Sequence, residues 1–424
     1  MQVQWAKFVC CLVVAPFWAG ASSAGQGAAA ESEQQSLHQR IAELQQRIED
    51  ANDKHTADIE RLRQEIDALT QEPNEAPSAA MQNEYEGRSP RRMLQSFNPD
   101  ISAIGDVLFH AGENEEGVEK NQFQFRELEL AFAAAVDPYG RADFFVSIEE
   151  EDGEFGIDVE EGYFTFDTLP HDLKARAGKF YSFFGKANLF HTHAMPWVDR
   201  PLVIRHFFGE EGMTEPGAEL SWLVPNPWES YMELTGQLQS NRNEASFAGD
   251  EGDELMYVTH LKNFFDINRQ STIEVGGSFA AGENTGTSPS HQTYLEGLDL
   301  TYKWRPAEQG LYKSLAWMNE LLLSQREQGE GDTVDSYGLY SSLEYQFERR
   351  WSIFGRYDYA QFPEDSESRE SAYTAGLTFR QSEYAFWRVQ YTHADGGGDL
   401  TWGSRDEFFV QLNFGIGPHR AHQY

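Results

Sequence analysis

From residue 97 onward, apolar positions recur every second residue in stretches of about ten, each bounded by turn-forming residues. Phe144, Val146 and Ile148 alternate with Asp143, Phe145, Ser147 and Glu149. Phe408, Val410, Leu412, Phe414 and Ile416 alternate with Phe409, Gln411, Asn413 and Gly415. One face of such a strand suits lipid and the other water. The pattern predicts sixteen strands, near 102–110, 122–136, 140–149, 156–168, 172–181, 215–224, 229–239, 255–265, 271–282, 291–306, 311–323, 336–348, 350–361, 370–382, 384–394 and 405–416. Their connections alternate in length. Asp137-Pro138-Tyr139-Gly140, Leu169 to Asp172, Pro225 to Trp228, Asp266 to Arg269, Pro306 to Gln309, Glu348-Arg349 and Arg380 to Glu383 are tight. Ser240–Glu254, Gly282–Ser290, Ser324–Asp335, Pro363–Glu370 and Asp395–Arg405 are longer and polar. An even strand number with short turns at one end and long loops at the other is the signature of an outer-membrane barrel. A water-soluble sandwich has no reason to alternate this way. The expected fold is therefore all-β, a sixteen-stranded antiparallel transmembrane β-barrel preceded by an α-helical coiled coil.

That helical segment is read from a change of period. Residues 33–71 contain no Gly or Pro, and Leu37, Ile41, Leu44, Ile48, Ala51 and His55 follow 4-3-4-3 spacing. Ile59, Leu62, Ile66 and Leu69 resume the spacing after a stutter. A coiled coil of about 60 Å is expected, at 1.5 Å per residue. Its narrow seam asks for a partner, and self-association is the natural one. Pro73, Pro77, Gly87 and Pro90 mark 72–96 as a flexible linker. At the start, Lys7, the apolar run Phe8–Trp18 and the small residues after it have the order of a secretory signal, 1–24, cleaved near Ala24 or at Ala30. Both cysteines, Cys10 and Cys11, fall inside it. A mature chain without cysteine has neither disulfides nor thiolate metal sites.

Composition narrows the function. Among 424 residues there are 69 Asp and Glu against 33 Lys and Arg, a formal charge of −36, which argues against a nucleic-acid partner. Hydrophobic residues are 40% and aromatic ones 14%, too polar for a multi-helix membrane protein but adequate for strands that space their apolar groups singly.

One connection differs from the rest. Residues 182–214, the third external loop, carry Phe183, Phe184, Phe190, Met195, Trp197, Phe207 and Phe208. A long apolar loop does not wave in water. It is expected to fold into the lumen, its aromatic groups on the wall and Lys186, Asp199, Arg200 and Arg205 facing the remaining opening. Glu127, Glu129, Lys174 and Arg176 are expected on the wall opposite, completing a pore constriction. A loop that caps the barrel or packs on a neighbouring subunit is the alternative.

Local strings resemble the phosphate-selective porin superfamily, whose order is coiled coil, linker and sixteen strands. They are Phe125-Arg126-Glu127-Leu128-Glu129-Leu130-Ala131-Phe132, Asp137-Pro138-Tyr139-Gly140, Val159-Glu160-Glu161-Gly162-Tyr163, and Arg176-Ala177-Gly178-Lys179-Phe180 with Phe184-Gly185. The resemblance implies homotrimers in outer-membrane lipid and diffusion of small polar solutes or ions through each subunit's pore. Phosphate-selective members line the lumen with Lys and Arg ladders, and here the pattern departs. Glu127, Glu129, Asp143, Glu149, Asp158, Glu160, Glu233, Glu274 and Asp299 stand on water-facing positions against Lys174, Arg176, Lys303, Arg305, Arg356 and Arg388. Both signs suggest a transverse field, with some preference for cations.

Other chemistry is sparse. His191, His193 and His206, with Asp199, Glu210 and Glu211 near them, could hold zinc or copper, and so could His419 with His422. That reading makes the protein a divalent-metal uptake channel. No Ser-containing motif accompanies His260 or His393, no phosphate-cradling glycine loop or dinucleotide fingerprint appears, and neither an enzyme nor a cofactor is expected. A closed barrel that merely anchors a stalk is the remaining alternative.

Overall fold

The structure, a computed structural model, describes residues 99–417 apart from 114–118, 152–153, 229, 248–253, 286–290, 330, 399 and 401–402. The signal segment, the coiled coil 33–71, the linker 72–96, and His419 with His422 lie outside the described residues.

Sixteen strands follow in chain order. They are β1 (Asp100–Glu113), β2 (Glu119–Asp137), β3 (Gly140–Glu151), β4 (Glu154–Phe166), β5 (Leu173–Tyr181), β6 (Thr214–Leu223), β7 (Tyr231–Ser240) and β8 (Leu255–Asn268). The second eight are β9 (Ser271–Glu283), β10 (Gln292–Trp304), β11 (Ser314–Gly329), β12 (Asp332–Glu348), β13 (Trp351–Gln361), β14 (Arg369–Arg380), β15 (Ala385–Gly397) and β16 (Ser404–Ile416). Each pairs antiparallel with its chain neighbours, and β1 closes on β16, with Ala103 opposite Ile416 and Gly112 opposite Glu407. A closed sheet keeps its backbone hydrogen bonds within the wall, as hydrocarbon requires.

The side chains divide as the alternation demands. Ile157, Leu220, Leu261, Leu298, Leu343, Ile353 and Phe414 are exposed on the outer face. Exposed Trp222, Phe265, Trp317, Phe347, Trp351 and Trp387 form a girdle toward the tight turns, and Tyr257, Tyr294, Tyr337, Tyr373 and Tyr391 one toward the longer loops. Two aromatic belts around an apolar band are the surface of a membrane-spanning barrel.

One connection is shorter than its sequence suggests. Ser324–Asp335 reads as a long polar loop, but β11 runs to Gly329 and β12 starts at Asp332. Buried Ser324, Arg326 and Ser336 keep the alternation going past the point where polarity on both faces hides it. Gly329 and Gly331, at φ 96° and 92°, supply the left-handed backbone that closes the hairpin.

Candidate functional site

Residues 182–213 run between β5 and β6 and are mostly buried. They contain two single 3-10 turns, at Ala187–Leu189 and Thr192–Ala194, and one short helix, α1 (Leu202–Phe208). Pro201 opens α1, and the Gly209 N–H, donating to the Arg205 carbonyl at φ 88°, ends it. The segment's hydrogen bonds go to inward residues of the wall. Phe183 N–H donates to Gln237 on β7, Gly185 N–H to Ser278 on β9, Val198 N–H to Gln390 on β15, and Leu202 N–H to Asp358 on β13. Trp197 Nε1 donates to Ser342 Oγ on β12 at 2.7 Å. The segment thus crosses the inside of the barrel.

Its apolar side seats on β8 to β15. Phe184, Phe190, Trp197, Val203, Phe207 and Phe208 form one cluster with Met256, Val258, Leu295, Met318, Leu322, Tyr340 and Phe354 of the wall. Small inward residues, Ala360, Ala372, Ala394 and Gly338, leave room for α1. A Cβ on Gly338 would come within 2.6 Å of Val203 Cγ2, so the helix packs directly on bare backbone. At the loop's entry, Gly185 has φ 63°, and the next two N–H groups, of Lys186 and Ala187, donate to Glu320 Oε1 at 3.0 and 2.6 Å.

The opposite side meets β2 and β4 through charge. His191 Nδ1 lies 2.8 Å from Glu129 Oε2 and 2.9 Å from Glu160 Oε2, and its Nε2 lies 2.9 Å from Glu161 Oε2. His193 Nδ1 stands 3.3 Å from Glu129 Oε2 and 3.8 Å from Glu127 Oε1. All six side chains are buried. Phe145 and Tyr181 flank the His191 ring. Burial opposes a charge on His191, but Glu160, Glu129 and Glu161 outweigh it and hold the imidazole well above its ordinary value. His193 is raised in the same way, burial being overcome by Glu127 and Glu129.

Between the loop and the tight-turn end of β3 to β7 lies a cavity of about 200 Å³. Arg141, Lys174 and Arg176 line it with Asp143, Glu161, Glu219 and Glu233, and His191 borders it. Arg176 Nη2 donates to Glu219 Oε2 at 2.6 Å and packs over Tyr163 and Phe180.

The residues expected at a constriction are distributed over these regions. Lys174 and Arg176 face the cavity. Glu127 and Glu129 join the histidine cluster. Lys186 is buried, its Nζ 2.6 Å from Glu274 on β9. Asp199 accepts from Arg356 on β13 and Gln390 on β15. Arg200, also buried, reaches the Ala187 carbonyl and the Tyr181 hydroxyl. Arg205 pairs with Glu210. Of the three histidines suggested as ligands, His191 and His193 come together, whereas His206 is apart, 3.1 Å from Glu370 on β14 and stacked on Phe362.

Two participants, Glu161 and Arg126, escaped the period-2 reading because each accompanies a bulge. Glu160 has no Cα partner where Phe145 pairs Glu161 and Val146 pairs Val159, so both Glu160 and Glu161 turn inward. Arg126 is the extra residue where Asp106 pairs Glu127 and Val107 pairs Phe125, and its guanidinium reaches Asp106 and the Val198 carbonyl.

No protein-family model matches the chain. An uncharacterized protein of Aquifex aeolicus (strain VF5) is 30% identical over 396 residues, covering 78% of this chain and 81% of that one. The two chains belong to one family. Solved structures share the fold at far lower identity. An anion-selective porin from Comamonas acidovorans superposes with a TM-score of 0.55 at 9% identity, over 75% of this chain and 99% of that one. The outer membrane channel DcaP of Acinetobacter baumannii gives 0.53 at 9% identity, over 75% and 96%. These likenesses carry the porin fold and no finer kinship with phosphate-selective members.

Proposed function

We propose that the chain is an outer-membrane porin through which small polar or charged solutes diffuse passively, with the inward-folded loop 182–213 setting the aperture. One observation carries the reading: inside a closed barrel with an apolar exterior, the loop leaves a cavity of about 200 Å³ lined by charges of both signs. A dry structural barrel has no use for Lys174, Arg176, Asp143 and Glu233 facing a common space, because buried charge without a solvated route is costly. A solute entering there meets the Arg176–Glu219 pair of the wall and His191 of the loop. The excess of carboxylates at lumen positions favours cations over anions.

In this reading the coiled coil 33–71 projects into the periplasm and three subunits share the membrane, each with its own pore. The test is conductance of the purified protein in a planar bilayer, followed by the reversal potential across a salt gradient. A steady open-channel current with a cation-side reversal potential is expected. Absence of current would leave the anchoring-barrel reading in its place, and an anion-side potential would overturn the charge argument. The convergence of His191 and His193 on glutamates favours metal chemistry as well, although enclosed side chains suit a resident ion better than passing cargo.

A further inference from the structure

We propose that His191 and His193 of the loop, with Glu127 and Glu129 of β2 and Glu160 of β4, form a binding site for a divalent transition-metal ion that fastens the loop to the barrel wall. Two donor groups overlap there, Glu127-Glu129-His193 and Glu129-Glu160-His191, each with its ligand atoms within 4.8 Å of one another. Glu129 belongs to both. Donors about 2.0 Å from a tetrahedral ion are about 3.3 Å apart, close to the spacing from Glu129 to each Nδ1. The separations of 2.8 and 3.3 Å need shifts of only tenths of an ångström.

Three further observations point to a cation. Both carboxylate oxygens of Glu127 are buried and make no hydrogen bond, although the side chain is 1% exposed and aims into the group. An unsatisfied buried carboxylate is among the costliest groups a fold can carry. Carboxylates also outnumber imidazoles there: Glu127, Glu129, Glu160 and Glu161, all buried, face only His191 and His193. The neighbouring cations are engaged elsewhere, Arg176 with Glu219 and Arg200 with the Tyr181 hydroxyl and the Ala187 carbonyl. Lastly, Glu161 is placed to accept the Nε2–H of His191, leaving the Nδ1 lone pair directed at the space it shares with Glu129 and Glu160. A carboxylate behind a ligating imidazole is how metal sites fix the tautomer and raise ligand basicity. Imidazole and carboxylate without thiolate select zinc, iron or manganese rather than cuprous ion.

The experiment takes full-length protein in detergent, strips it with a chelator and titrates it with Zn²⁺ against a chromophoric competitor. Wild type is expected to bind with a dissociation constant at or below about 10 µM, and Glu127→Gln, which preserves shape, to weaken binding at least about tenfold. His193→Ala should weaken it further, Glu161→Gln by about tenfold with partial recovery in Glu161→Asp, and His206→Ala should match wild type. Circular dichroism and cooperative melting establish that each variant keeps its barrel. Wild-type binding weaker than about 10 µM, or equal zinc affinity in wild type and Glu127→Gln, would overturn the site and leave an ion-pair network. The readout does not depend on conduction. A barrel that conducts without binding zinc sinks this site alone, and one that binds zinc without conducting sinks the channel alone.

Discussion

The loop touches the two sides of its barrel by different physics. Against β8 to β15 it buries Trp197, Val203, Phe207 and Phe208 in an apolar seat whose small residues make room for α1. Against β2 and β4 it offers two histidines to four glutamates. The first contact rests mainly on shape, with ion pairs such as Arg356–Asp199 and Lys186–Glu274 set into it. The second sets two imidazoles against four buried carboxylates, so under the metal-site proposal its strength depends on how that charge is neutralised. A loop held in both ways has one fixed side and one conditional side, and the cavity borders the conditional one.

Breaking the fixed side should have the largest effect. Trp197 is fully buried, donates to Ser342 and lies beneath the Arg356 guanidinium at 5.0 Å. Trp197→Ala should cost about 3–5 kcal/mol by large-to-small truncation, read as a fall in unfolding free energy from detergent micelles, with noisier channel current. Next comes Arg356→Met. The guanidinium holds Asp358 at 2.6 Å and Asp199 at 3.1 Å, so its loss leaves two carboxylates without their cation and should cost about 3 kcal/mol in the same assay.

The conditional side should respond with the opposite sign. In chelator-treated protein, Glu127→Gln removes a buried carboxylate that makes no hydrogen bond and has His193 3.8 Å away, and the relief of burial is expected to exceed the lost pairing, stabilising the fold by up to about 1 kcal/mol. With zinc present the same change should destabilise relative to wild type. The smallest effect belongs to Glu210, whose pairing with Arg205 is at an exposed carboxylate: Glu210→Ala should change stability by less than about 0.5 kcal/mol in denaturant titration.

Much of this was legible in the sequence, for identifiable reasons. Two-residue alternation marks every strand, since a wall between lipid and water leaves each position only one acceptable polarity. The run of aromatic residues in 182–214 marks the loop as one that must be buried, and its cluster with Met318, Tyr340 and Phe354 is what that pattern asked for. What could not be read is where period two fails. The bulges at Arg126 and Glu160 shift the phase by one residue, and they do so where charges meet the loop. Nor could sequence choose the apolar seat, because Gly338, Ala360, Ala372 and Ala394 look like ordinary strand residues until the strands lie side by side. Lys186 and Arg200 read as pore-facing cations, but Lys186 reaches Glu274 on β9 and Arg200 folds back onto Tyr181 at the end of β5, contacts that exist only once the loop is folded.

The claim that the loop sets the aperture is tested most directly by removing it. Replacing residues 187–208 with a short Gly-Ser link and comparing single-channel conductance with wild type should give a several-fold larger current with weaker ion selectivity, because a sixteen-stranded wall encloses a wide aqueous lumen once its filling is gone. An unchanged conductance in a folded variant would contradict the account.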